Sequence, residues 1–190
     1  MTIYYLRHED RPLEDSTFYI ELSKLGKHRA KTSLKKLLLE LNISEIYCSP
    51  FIRCLQTIKP FTQESGKIVN VDYGLQEFFF DKNFIKKSKA ELSLEEEINF
   101  NVNQNYNSTL KPNTLKYQEN LLSITQRVEN FVNNVLKEYI HSKKNILVCT
   151  HMGVLNVLIS KMSNIKRAPN DFYSMGSLSK IENDHIIFLN

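Results

Sequence analysis

Apolar positions along this chain fall into short extended runs separated by stretches of helical period. Ile3 to Arg7 form a β-branched and aromatic run. The charged cluster His8-Glu9-Asp10-Arg11 breaks it, and Pro12 cannot continue a ladder, so Arg7 and His8 are expected at the carboxyl end of a strand. Leu34, Leu37, Leu38 and Leu41 then recur at i, i+3, i+4 and i+7, with Lys24, Lys27, Lys31 and Lys35 on another face, which predicts an amphipathic helix with a solvated basic stripe. EIYCS reads as a strand. Ser49 is placed to cap the next helix and Pro50 to take its first position; that helix carries Arg53 and ends near Gly66. KIVNVDYGLQEFFF supplies a further extended run leading into Glu77.

From about Lys82 to Tyr117 the pattern dissolves into KKSKAELSLEEE and the asparagine-rich NFNVNQNYN, and no element is assigned there. Ile124, Val128, Phe131, Val135 and Tyr139 mark a second long helix. NILVCTHMGV is a continuous apolar run of strand length, as expected of a strand buried on both faces. His151 stands where it stops and MGVLNVLISKM begins a helix. SLSKIE and HIIFL flank Asn183-Asp184 as a hairpin. Strands alternating with helices imply a helix-flanked, mostly parallel sheet. Ligands of open α/β sheets bind at the carboxyl ends of the strands, where His8 and His151 are both expected.

Length and composition narrow the class. A chain of 190 residues, 42% hydrophobic and 24% charged, reads as one globular domain spanning 1–190. Its 25 basic and 21 acidic residues leave a formal charge of +4, but the lysines are scattered, so no nucleic-acid partner is expected. Cys48, Cys54 and Cys149 form no CxxC pair and sit in or beside apolar runs, as reduced buried thiols do. No apolar stretch reaches the roughly 18 residues of a membrane span, and the amino terminus has no basic-then-apolar pattern. A cytoplasmic protein without a membrane partner is expected; oligomeric state is open.

The candidate chemistry lies in Arg7, His8, Arg53, Glu77 and His151. Each alone has an ordinary surface or structural reading. Their order and context together resemble the histidine phosphatase superfamily, branch 1, the phosphoglycerate mutase-like family. YYLRHEDR resembles the family's strand-borne Arg-His-Gly motif, and LSKLGKHRA the opening of its first long helix. CSPFIRCLQT resembles its Ser-Ser-Pro-x-x-Arg-x-x-Gln-Thr stretch, LQEF its acid-bearing element, and ILVCTHMGVLNVLI its second-histidine strand and helix. The resemblance covers residues 1–80 and about 119–190. It implies an α/β three-layer sandwich with a mostly parallel central sheet flanked by helices, and a variable lid-like region at about 78–116.

It further implies a phosphomonoesterase needing neither metal nor cofactor. His8 would attack phosphorus, Glu77 would serve as general acid, and Arg7, Arg53 and His151 would hold the phosphoryl group, with Arg11 as an added cation. This division suits the chemistry: a phosphoryl group needs cations around its equatorial oxygens and an in-line nucleophile. Nearby arginines are expected to lower the pKa of His8 and keep it neutral. The substrate would be a small-molecule or peptide-borne phosphomonoester. A phosphoglycerate mutase and a non-catalytic module binding a phosphorylated ligand are the alternatives. Three departures stand out: Glu9 where the motif has glycine, Glu14 near a frequent asparagine, and Met152 after the second histidine. Glu9 either faces the phosphate or points away. Cys48 to Arg53 imitates a cysteine-phosphatase signature but is one residue short and lacks its glycine. A metal held by His8, His151 and carboxylates is opposed by Arg7 and Arg53.

Overall fold

The computed structural model describes residues 1–13, 17–78, 91–114 and 119–190. Glu14 and much of the expected lid lie outside the described residues. Six strands form one sheet in the order β3-β2-β4-β1-β5-β6, with β1 at Thr2–Arg7, β2 at Glu45–Cys48, β3 at Asn70–Val71, β4 at Asn145–Thr150, β5 at Leu178–Glu182 and β6 at His185–Phe188. The first four in that order run parallel, while β5 and β6 are antiparallel additions at one edge. The mostly parallel α/β sandwich is therefore what the chain forms. Asn183 and Asp184 turn the terminal hairpin with φ of 49° and 57°, the left-handed pair that a two-residue hairpin loop requires.

Alternation along the central strands builds the two cores. Tyr4 and Leu6 of β1, with Leu147 and Cys149 of β4, face a cluster with Leu34, Leu38, Ile58 and Phe61. Ile3 and Tyr5, with Ile146 and Val148, face the opposite cluster, which contains Val128, Phe131, Leu155 and Leu158. Because successive strand residues point to opposite faces, an unbroken apolar run such as NILVC feeds both layers. The first layer comprises α1 (Lys24–Arg29), a π-helical turn at Ala30–Leu34, α2 (Lys35–Glu40) and α3 (Ile52–Ser65). The second comprises α5 (Leu121–Asn134) and α6 (Met152–Met162).

Three expectations are corrected. Ser49 does not cap α3: Phe51 is its N-cap residue, without a side-chain cap, and Ile52 is its first position. The run before Glu77 is not extended throughout, since only Asn70–Val71 is strand. Asp72 then caps a 3-10 turn at Tyr73–Leu75, accepting from Gly74 N at 2.7 Å. The second long helix stops at Asn134 and passes into a separate 3-10 turn at Leu136–Tyr139. The unassigned region contains α4 (Leu94–Asn99), opened by a reciprocal capping box between Ser93 and Glu96. It is also anchored: Leu92 and Phe100 are buried and Val102 bridges to Val69.

Candidate active site

The register of the central strands assembles the site. Arg7 pairs with Thr150 across β1 and β4, so the next residue on each strand, His8 and His151, leaves the sheet at the same edge. Both are fully buried. Cys48, at the end of β2, pairs with Cys149, and the chain beyond it turns into α3, delivering Arg53 to the same place. Glu77 arrives two residues after the 3-10 turn.

His8 is held in one orientation. Its Nδ1 lies 2.8 Å from the Glu9 carbonyl, which can only accept, so Nδ1 carries the proton and Nε2 carries the lone pair. Nε2 is buried and has no hydrogen-bond partner among the described residues. Burial first, then the charges of Arg53 and His151, push the His8 pKa well below its ordinary 6.5. The expected lowering is present, but desolvation rather than the arginines is its main cause.

Near His8 stand three cations or potential cations, Arg7, Arg53 and His151, and one carboxylate, that of Glu77. Arg53 Nη2 lies 3.4 Å from Glu77 Oε2 and 3.2 Å from His151 Nδ1, while Nη1 donates to the Thr17 carbonyl at 2.9 Å. Its guanidinium stacks 4.5 Å from the centroid of the Phe51 ring. Glu77 Oε2 is also 3.2 Å from His151 Nδ1. His151 Nε2 is 2.8 Å from Ser49 Oγ and 3.5 Å from Cys54 Sγ. Arg7 Nη1 donates to the Tyr173 carbonyl and contacts Met152 Sδ at 3.7 Å, and its Nε has no hydrogen-bond partner among the described residues. Burial works to raise the Glu77 carboxyl, but His151, Arg53 and His8 outweigh it and hold it below the ordinary carboxylate range. Arg11 Nη1 donates to the Pro12 carbonyl at 2.7 Å, and its charge acts on both Arg7 and Arg53. The structure thus brings His8, Arg53, Glu77 and His151 into contact range, with Arg7 and Arg11 in the same electrostatic neighbourhood.

Glu9 turns toward the loop before β5. A Cβ built on Gly176 would lie 2.7 Å from the Glu9 carboxyl carbon, and Gly176 has φ of 77°, so only glycine admits that side chain there. Glu9 Oε2 accepts from Asp10 N at 3.2 Å, and burial raises its pKa above 4.5. The neighbouring Asp10 carboxylate accepts from Ser23 Oγ at the start of α1.

Geometry bears on two further readings of the residues. His8, Glu77 and His151 each offer a ligand atom, all within 4.8 Å of one another, yet a cation there would meet the Arg53 guanidinium beside two of its three ligands. Cys48 is fully buried and burial pushes its thiol up, which suits an inert core thiol rather than a nucleophile.

Ser49 and the Tyr173 carbonyl were not foreseen as site partners. A serine before proline reads locally as a cap, and a main-chain carbonyl leaves no trace in side-chain identity. Among the described residues, no helix is long and apolar enough to cross a membrane.

Comparisons with known proteins bear on the family and the fold. The family model of the histidine phosphatase superfamily (branch 1) matches residues 15–185. The match begins after Arg7 and His8, so their place beside Arg53 and His151 rests on strand register. A Schizosaccharomyces pombe protein named as a probable phosphatase is 27% identical over 165 residues, covering 83% of this chain and 71% of that protein. Among solved structures, the ecdysone phosphate phosphatase of Bombix mori, in complex with tungstate, superposes with a TM-score of 0.76 at 14% identity, over 100% of this chain and 92% of that one. The alpha-ribazole phosphatase of Shigella flexneri superposes at 0.68 with 20% identity, over 99% and 94%. A mycobacterial glucosyl-3-phosphoglycerate phosphatase gives 0.64 at 16% identity, over 95% and 89%. With a family match spanning most of its length, the chain belongs to branch 1 of the histidine phosphatase superfamily.

Proposed function

We propose that the protein hydrolyses phosphomonoesters, without a metal, through a phosphohistidine formed on His8. One observation carries the reading: His8 Nε2 is buried, unprotonated and without a hydrogen-bond partner among the described residues, while Nδ1 is fixed on the Glu9 carbonyl. A neutral imidazole with a single uncommitted lone pair is the form a nucleophile needs.

Arg7, Arg53 and His151, with Arg11 farther out, bind the phosphoryl oxygens and stabilise the charge spread over them in the transition state. Before substrate binds, Glu77 is a carboxylate because His151 and Arg53 lie against it. A dianionic phosphoryl group entering the cluster engages those cations and adds negative charge beside Glu77, which raises its proton affinity. Glu77 then takes a proton from solvent, or from the substrate where the phosphate arrives as its monoanion, and passes it to the leaving oxygen as the P–O bond breaks and the bond from His8 Nε2 to phosphorus forms. Water next attacks phosphorus, gives its proton to Glu77, and releases phosphate and free His8. Retention of a carboxylate at this position favours turnover over a module that only binds, which has no use for an acid.

The three solved structures named above are phosphatases of unlike small molecules, so the phosphoryl group is the shared recognition element. The substrate class is accordingly a small-molecule or peptide-borne phosphomonoester. Three buried free cysteines suit a reducing compartment, and we place the enzyme, as a single domain, in the cytoplasm.

Acid quench of a reaction with a radiolabelled phosphomonoester tests the reading. The expected product is an acid-labile, base-stable phosphoenzyme that is absent in His8→Ala. Label retained by that variant removes His8 from the role.

A further inference from the structure

We infer that Arg127, oriented by Glu119, is a positioning residue that fixes the main chain on both sides of the Glu77 turn and so sets the aim of the acid. The inference rests on the general-acid reading of Glu77.

Arg127 lies on α5, one layer away from the phosphate-binding cations, and takes no part in the cluster around His8. Its guanidinium is nonetheless almost completely buried, with side-chain exposure of 5%, against 2% for Glu119. Four hydrogen bonds use its fork. Nε and Nη2 hold the two Glu119 carboxylate oxygens at 2.6 and 2.9 Å, Nη1 donates to the Gly74 carbonyl at 2.6 Å, and Nη2 donates to the Glu77 carbonyl at 3.2 Å. Gly74 is in the 3-10 turn and Glu77 lies beyond its end, so one rigid group spans the peptide segment that presents the acid. Thr150 Oγ1 holds the carbonyl between them, that of Leu75, at 2.6 Å, from the residue directly before His151. The Glu77 backbone is thereby tied to the same strand end that carries the second histidine.

Burying a guanidinium and a carboxylate is costly, and apolar residues of similar size would often stabilise a core as well. What apolar residues cannot do is grip two carbonyls at fixed separation. Lysine cannot either, because its ammonium is a point donor without the planar fork. Glu119 supplies the charge balance and locks the plane of the guanidinium. The ion pair therefore serves geometry: Glu77 Oε2 must stay within reach of His151 and Arg53 when the site is free and of the leaving oxygen when it is occupied, and a misplacement of about 1 Å can cost on the order of 100-fold in rate.

The test compares Arg127→Lys and Glu119→Gln with Glu77→Gln and the parent on two substrates, an alkyl phosphomonoester with a poor leaving group and p-nitrophenyl phosphate with a good one. Only the first needs strong protonation of its leaving oxygen. In both positioning variants, kcat for the alkyl ester is expected to fall on the order of 10- to 100-fold, with less than about threefold loss for the aryl ester and unchanged inhibition by vanadate. Glu77→Gln should show the same selectivity to a greater degree. If Glu77→Gln is selective but neither folded positioning variant is, the clamp has no part in aiming the acid and the inference fails alone. If Glu77→Gln loses both substrates equally, the general-acid reading fails and takes the inference with it. Should Arg127→Lys not fold, Glu119→Gln, which keeps the side-chain shape but removes the carboxylate that locks the plane of the Arg127 guanidinium, decides the matter by the same comparison.

Discussion

His8 and His151 meet edge to face, their ring centroids 5.3 Å apart and their planes inclined by 61°. Parallel register produces the contact, because each ring follows the paired residues Arg7 and Thr150, and the His8 amide is tied to the Thr150 carbonyl at 3.0 Å. Two imidazoles this close, with Arg53 beside them, disfavour a further proton on His8. Together with burial, the geometry that sets the two rings against each other keeps His8 neutral.

Stability should carry the mark of that neutrality. In the unfolded chain His8 titrates near 6.5, whereas in the folded protein its pKa lies well below. Between these values the unfolded state holds the extra proton, so stability falls as pH drops below 6.5, by at most about 2 kcal/mol between pH 6.5 and 5. Glu77 acts in a lower window: its folded pKa is depressed below 4.5, so its contribution is present above 4.5 and is lost as pH falls through the depressed value. Urea unfolding at pH 7 and pH 5 should show a smaller loss for His8→Asn than for the parent. Equal losses would show that His8 does not carry the slope.

Arg53 is fully buried and is expected to bind the phosphoryl group in both ground and transition states. Arg53→Ala should weaken vanadate or phosphate inhibition and lower turnover together, each on the order of 100-fold, since a charged hydrogen-bonded pair is worth several kcal/mol when one partner is deleted. Arg53→Lys should rescue only part, because a point charge cannot make the bidentate contact. Unchanged anion inhibition in a folded variant assigns Arg53 to structure alone.

Glu9 and Gly176 form a matched pair, one supplying the bulk and the other the space. Gly176→Ala should destabilise by about 2 kcal/mol or more, from the left-handed backbone and the clash with Glu9 together. Combining it with Glu9→Gly should recover the clash but not the backbone strain, a coupling visible in a double-mutant cycle of thermal or urea unfolding. Glu9→Gly alone should leave vanadate affinity within about twofold, since the carboxylate packs against the loop. Markedly tighter anion binding in Glu9→Gly would place the carboxylate at the phosphate after all.

The strand ends were the readable part of the site. Arg7, His8 and His151 follow from where apolar runs stop and charge or helix begins, a purely local signal. Ser49 was misread because a hydroxyl before proline has two uses, and only the register of β2 with β4 puts it against His151. The run before Glu77 hides its turn: Val69 and Val71 suggest a strand, while Asp72 and Gly74, the residues that stop it, are few. In α4 the Ser93-x-x-Glu96 spacing was a legible capping signal, but Leu94 and Ile98 are exposed, so the helix has no apolar stripe to give it a period. The Glu119–Arg127 clamp joins α5 to a turn some fifty positions earlier, a relation that no window of sequence contains.

Hydrolysis, rather than return of the phosphoryl group to a second position on the substrate, is the expected outcome of each turnover. A mutase must keep water from its phosphohistidine while the bound intermediate reorients, which calls for a closed site. Polar and asparagine-rich as it is, the region after Glu77 is anchored within residues 91–114 by buried Leu92 and Phe100, so the case rests on the acid itself. His151 and Arg53 have side-chain exposure of 0%, but Glu77 between them has 20%. On the proposed mechanism, the group that activates water is the one that solvent reaches, and it is a carboxylate after the leaving group has taken its proton. With 3-phosphoglycerate, slow phosphate release or no reaction is expected, and EDTA should leave turnover of any accepted substrate unchanged. Rapid formation of 2-phosphoglycerate without phosphate release would overturn the hydrolytic reading, and loss of activity in EDTA restored by a divalent ion would return His8, Glu77 and His151 to the role of metal ligands.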